Sequence, residues 1–244
     1  MSFTKGAKAT PKFFDPSSGA LYLTNQYKIP DMRISMLFFG LLTIVLSGCA
    51  TNSVPTNYTP LESSGKGIVV TSITYSGMYS GYSVMYASSD GKTKGEFTVG
   101  KGMVLIPYFP DMDFEEKGMK GDVVVAELPA GQYEINSWQV SSGHAIIRPV
   151  SPVQVRFTVE PGKKLYLGSF HFEQTRSMGF AVTGVKVGFA DQESRDMNVV
   201  AKKYPNVASS PRGGTVPQRV AIDSLGGDGS TKISVPFILL TPAK

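Results

Sequence analysis

The chain holds one cysteine in 244 residues, Cys49, and it stands in Leu46-Ser47-Gly48-Cys49. A thiolate is the strongest nucleophile among the side chains and the only one that forms a thioether. Without a second cysteine the chain can close no disulfide of its own and can build no cysteine-based metal site. Ser47 and Gly48 are small, which opens the peptide bond before Cys49 to a peptidase. Residues 34–46 form an apolar run of thirteen. That is short of the about 20 residues a membrane span needs, and it fits the roughly 7–15 residues of a signal-peptide core. Lys28 and Arg33 supply positive charge ahead of it.

The rest of the inventory is thin. His144 and His171, the two histidines, lie 27 residues apart with no close-spaced ligand pair, so they read as unrelated loop and strand residues. Asp111-Met112-Asp113-Phe114-Glu115-Glu116 has a calcium-loop flavour, but Glu116 takes the sixth position where glycine is needed. It reads as a solvated acidic loop. Ser89-Asp90-Gly91-Lys92 matches S-x-x-K, yet that motif needs a helix to aim both side chains, and Asp90-Gly91 signals a turn. No G-x-S-x-G, P-loop or G-x-G-x-x-G occurs. No catalytic residue, metal or cofactor is expected. Tyr75, Tyr79, Tyr82 and Tyr86 form the densest aromatic region; exposed rings there would stack on sugar faces, whereas buried ones would be ordinary strand packing.

The Leu46–Cys49 motif resembles the lipobox of bacterial lipoproteins. The resemblance implies that Cys49 receives a diacylglyceryl group by thioether linkage and that signal peptidase II, recognising Leu46, Ser47 and Gly48, cleaves before it. Two or more acyl chains make such an anchor stable where one is marginal. Ala50, a residue other than aspartate after the cysteine, implies sorting to the outer membrane, with the domain facing the periplasm. Residues 32–48 are then the signal peptide. Residues 1–31 read as a misassigned extension, with translation starting at Met32. Residues 1–48 carry +3 of the chain's +5, which leaves +2 for residues 49–244. A nucleic-acid partner is therefore not expected. The expected partners are the membrane, through the lipid on Cys49, and an envelope protein or glycan.

Around these residues the sequence lays out its elements. Residues 49–67 are polar and Pro/Gly-rich and read as a lipidated cysteine with a flexible tether. Residues 68–205 are dominated by short alternating runs with Gly/Pro turns, which predicts an antiparallel β-sandwich. Val123-Val124-Val125-Ala126 is apolar on both faces and is expected inside a sheet. Tyr133 and Ile135 fall out of phase with Trp138 and Val140, which predicts a bulge near Asn136-Ser137. Pro161-Gly162 fits the centre of a type II turn. One late helix is expected, capped by Asp191, with Met197, Val200, Ala201 and Tyr204 on one stripe, and stopped by Pro205. Residues 206–244 read as a poorly ordered Gly/Pro/Ser-rich tail, with an edge strand over 233–240 interrupted by Pro236. On that reading residues 66–206 suffice to fold.

Leu128-Pro129-Ala130-Gly131-Gln132-Tyr133 resembles the L-P-x-G-x-Y element of transthyretin-like and carboxypeptidase-regulatory-like sandwiches, and the pairing with residues 159–168 and the terminal Tyr204-Pro205 add to the likeness. The resemblance implies a fold and an envelope location, and it brings no active site. Function is expected to be that of a lipid-anchored, non-enzymatic binding or structural module. A glycan-binding module using the tyrosine-rich region and an envelope hydrolase are the alternatives.

Overall fold

The computed structural model describes residues 53–101, 111–116, 118–217 and 220–233. Cys49 with Leu46, Ser47 and Gly48 and most of the edge strand expected over 233–240 lie outside the described residues. The strands are β1 (Lys66–Ser76), β2 (Gly81–Ser88), β3 (Lys94–Val99), β4 (Phe114–Glu116), β5 (Met119–Pro129), β6 (Gly131–Ser142), β7 (Ala145–Arg148), β8 (Val155–Val159), β9 (Lys164–Met178), β10 (Ala181–Ala190) and β11 (Ser230–Ile233). Helix α1 covers Glu193–Lys203, and a short α2 covers Pro205–Ser209. The fold is a two-sheet β-sandwich. One sheet runs β10-β9-β1-β5-β4; the other runs β11-β7-β6-β2-β3, with β8 also paired to β6. All pairings are antiparallel except β1 with β9, which is parallel.

The alternation of side chains along each strand sorts them between two cores. Val69, Ile73 and Tyr75 of β1 enter the inter-sheet core with Val84, Phe97, Trp138 and Phe172. Ile68 and Val70, one residue out of phase, face the other way and meet Val200, Tyr204 and Val207 of the helices. The first sheet is thus covered on both faces. That is why residues 67–75 of β1 are buried without interruption and why Val123-Val124-Val125-Ala126 is apolar on both sides. The most central strand of this sheet is β1.

Local irregularities follow from local chemistry. Met85 pairs with Ser137 and Tyr86 with Ile135, so Asn136 is the extra residue of the expected bulge, and it brings Tyr133, Ile135, Trp138 and Val140 all inward. Lys163 N–H donates to Glu160 O at 3.3 Å across Pro161-Gly162, with Gly162 at φ 66°, as the type II turn requires. A second bulge lies in β9, where Val70 pairs with Tyr166 but Thr71 with Gly168. Gly168 sits at φ 136°, and a Cβ there would come within 2.4 Å of the Phe189 ring. Tyr133 closes the β5–β6 corner by donating its hydroxyl to Pro129 O at 2.8 Å.

Several expectations are corrected. Residues 53–65 do not hang free: Val54 N–H donates to Val125 O at 2.8 Å, Ser53 Oγ accepts from Val125 N–H, Tyr58 bonds Glu127, and Val54 and Tyr58 pack on the second core. This segment covers the part of the β5 edge that three-residue β4 leaves open, a backbone row that would otherwise go unpaired. The acidic loop is not all solvated. Phe114 is 5% exposed, Asp113 accepts from Val123 N–H at 3.1 Å, and Lys203 pairs with Asp113 at 3.1 Å. Asp191 accepts from Glu193 N–H at 2.9 Å as the helix opens, but the capping position itself is Gln192. Of the expected stripe, Met197, Val200 and Tyr204 pack on the second core, Ala201 is exposed, and Asp196 is buried beside them.

The tail departs furthest from expectation. Val207, Val216 and Leu225 are buried; Ile222 exchanges two 2.8 Å backbone hydrogen bonds with Phe189; Trp138 Nε1 donates to Leu225 O at 2.7 Å. Strand β11 then pairs with β7 at the sheet edge over Ser230–Ile233, ahead of the position where an edge strand was expected to begin. Gly- and Pro-rich composition disfavours regular elements, but it does not prevent a chain from packing irregularly over a preformed sheet.

Candidate functional site

The outer face of the first sheet changes character along its length. Near the start of β1 and β9 it is apolar, with Ile68, Val70 and Tyr166 beneath the helices. Further along the same phase brings up Ser72 and Thr74 on β1 and, after the Gly168 bulge, Ser169 and His171 on β9, a polar row. Helix α1 crosses here and lowers Asp196 into it, 0% exposed. Tyr166 Oη and Ser72 Oγ each lie 2.7 Å from Asp196 Oδ2. Arg195 donates to Oδ1 through Nε at 2.9 Å and pairs through Nη2 at 2.8 Å. The same Nη2 lies 3.1 Å from Ser72 Oγ and 3.0 Å from Ser169 Oγ. The guanidinium stands 4.4 Å over the Phe114 ring, within cation–π range. Tyr166 Oη in turn accepts Gln192 N–H at 3.1 Å. Burial first, and then the Asp196 carboxylate, push the Tyr166 hydroxyl far above the ordinary phenol range, so it stays a donor. A buried carboxylate is tolerable only when paired and hydrogen-bonded, and this one is both.

Beside this network a groove of about 380 Å³ opens, lined among others by Thr74, Ser169, His171, Gln192, Arg195 and Asp223. His171 Nδ1 lies 2.9 Å from Thr74 Oγ1. Burial pushes the imidazole below its ordinary value, Arg195 adds to this, and Glu173 opposes it. The groove can therefore hold a small polar ligand against the imidazole and one edge of a guanidinium. Among the described residues the hydrogen-bond partner of His171 is the Thr74 hydroxyl, whose residue is 0% exposed at the groove floor.

The lowered His171 value sets a pH dependence. Below the ordinary imidazole value of 6.5 the unfolded chain takes up a proton that the folded chain resists, so stability present at neutral pH is lost as the solution is acidified. His171→Gln is expected to flatten this part of the curve. Thermal melts at about pH 7.5 and 5.5 check it, within the range where histidine alone titrates. Equal slopes for variant and parent would remove the assignment.

The other sequence candidates do not gather here. Tyr75, Tyr82 and Tyr86 are 1%, 1% and 4% exposed. Tyr75 stacks on Tyr82 at 4.6 Å, and Tyr86 packs on Phe97 at 4.8 Å. Tyr82 donates to Met78 O at 2.6 Å, and burial pushes the Tyr75 hydroxyl up to about 12. Tyr79 is partly buried against the same core. No sugar face can reach three of these four rings, so the tyrosine platform is corrected to core packing. His144 is exposed on the β6–β7 turn, in the other sheet from His171. Ser89 and Lys92 are exposed on the β2–β3 turn, where Lys92 pairs with Asp90 at 3.3 Å. Among the described residues no group of three His, Cys, Asp or Glu is placed to hold a metal. Sequence reading missed Asp196 and Arg195. The available signal was an aspartate four residues before Val200, on the buried stripe of an amphipathic helix.

Comparison with known proteins finds no matching family model, no matching curated protein and no matching solved structure. The site therefore has to be argued from its own chemistry.

Proposed function

We propose that the chain is a lipid-anchored module of the bacterial cell envelope, held at the outer membrane through Cys49 and facing the periplasm, where it binds or organises other envelope components without catalysing a reaction. The observation that carries this is the sole cysteine of the chain, directly behind Leu46-Ser47-Gly48 and a thirteen-residue apolar run. A two-sheet domain whose buried Asp196 is taken up in ion-pair and hydrogen-bond contacts that pin a helix to a sheet supports the reading of a scaffold. On this reading the groove beside His171 and Arg195 is where a small polar ligand would sit. The domain itself is read as transthyretin-like, on the strength of the Leu128–Tyr133 corner.

Cys49→Ser removes the one nucleophile that lipidation requires. Metabolic labelling with a palmitate analogue should mark the parent chain and leave the variant blank, with the signal segment uncut. Label retained in the serine variant would sink the reading.

A further inference from the structure

The β9–β10 hairpin overhangs its sheet. Strand β1 pairs with β9 only as far as Ser76 opposite Glu173, so from Gln174 onward β9 has β10 as its partner in that sheet. The overhang is five residues to Met178, roughly 17 Å at about 3.3 Å per residue. Residues 175–180 are all exposed. At the tip, on either side of Gly179, stand Met178 and Phe180, 63% and 96% exposed, and Phe180 is the most exposed large apolar side chain among the described residues. The base of the arm is braced, because Val182 and Val185 are buried and Val182 N–H donates to Ser142 Oγ at 3.0 Å. The tip is thus held out into solvent. The charged side chain closest to it along the arm is Arg176, which suits an anionic surface; Glu173 and Lys186 face each other further down.

Scattered surface hydrophobics need no explanation, but two at one projecting turn beside an arginine form an amphipathic tip. The occupant follows from the length of chain to the anchor. This step rests on the lipid anchor at Cys49. Ser53 and Val54 are already fixed to Val125 on β5. The reach from Cys49 to Ser53 is then at most about 14 Å of extended chain. A domain tied that closely lies against the headgroups, and the apolar phase always beside it is the bilayer. We propose that Met178 and Phe180 enter the headgroup layer of the membrane as a second contact, with Arg176 on anionic lipid, so that the domain is oriented as well as anchored.

The test uses the full chain carrying F180W, reconstituted in vesicles of phosphatidylethanolamine and phosphatidylglycerol that contain dibrominated lipid. Trp138, the single native tryptophan, is 0% exposed and serves as a shielded background. Emission added by F180W should shift to the blue and lose most of its intensity to bromine quenching. S89W, on the exposed β2–β3 turn at the opposite end of the sandwich, should keep its emission. Flotation of the parent chain with the vesicles reports the anchor separately. A chain that floats while F180W stays unquenched overturns the tip contact alone, and crosslinking of that tip to another protein would reassign it to a protein partner. A parent chain that does not float, with F180W unquenched, overturns both readings.

Discussion

A chain truncated after Asn206 is expected not to fold. Among the described residues such a chain keeps ten of eleven strands and all of α1, which by sequence would be the whole domain. What it loses is closure. Val207, Val216 and Leu225 are buried side chains, and fully burying one such residue contributes about 1.5–3 kcal/mol. Trp138 Nε1, which donates to Leu225 O at 2.7 Å, is left as an unsatisfied donor in a core where the residue is 0% exposed; that adds about 1–3 kcal/mol. Phe189 loses its two bonds to Ile222, and β7 loses β11. Together these losses come to roughly 5–12 kcal/mol, the size of a typical domain's entire stability. Circular dichroism and urea unfolding of chains ending at 206 and at 233 check it. A cooperative transition of unchanged midpoint in the shorter chain would show that the tail is dispensable.

The second large effect is expected at Asp196. Asp196→Ala removes the acceptor that Tyr166, Ser72 and Arg195 share, and breaking a buried ion pair from one side costs about 3–5 kcal/mol. Arg195 is partly exposed and can turn to water, so the lower half of that range is favoured. Asp196→Asn keeps an acceptor for the two hydroxyls but sets an amide against the guanidinium, and should fall between parent and alanine. In a domain of this size each kcal/mol is about 2–4 °C of melting temperature. Urea unfolding should show the midpoint falling with the slope unchanged, the mark of lost stability rather than altered compactness. A loss under about 1 kcal/mol would mean that the network is solvated in solution and does not pin α1 to the sheet.

Much of the sandwich was legible in the sequence because strand signals are local. Alternation at Tyr82, Val84 and Tyr86 marks one buried face of β2 whatever lies opposite, and Pro161-Gly162 makes its turn from its own backbone preferences. The phase slip between Ile135 and Trp138 was enough to locate the bulge at Asn136, since a one-residue slip would otherwise turn Trp138 to solvent. The resemblance of Leu46–Cys49 to a lipobox was legible for a different reason: it rests on a short stretch of residue types and needs no fold to be seen.

Other features were decided only in three dimensions. Alternation says that a face is buried but not against what, so the tyrosines could be read as a sugar platform until the two sheets were seen to close over Tyr75 from one side and Tyr82 and Tyr86 from the other. The parallel pairing of β1 with β9 joins residues about a hundred positions apart, and nothing local encodes it. Asp196 looks like any charged helix residue until Ser72 and Tyr166 converge on it from two strands, with Ser169 bonded to Ser72 behind them. The tail reads as polar and irregular because its order comes from bonds to others, Ile222 to Phe189 and Leu225 to Trp138. Short-range chemistry specified the strands and the turns. Which faces meet, and therefore which polar side chains are shut in together beside an open groove, depended on long-range packing that no window of the sequence contains.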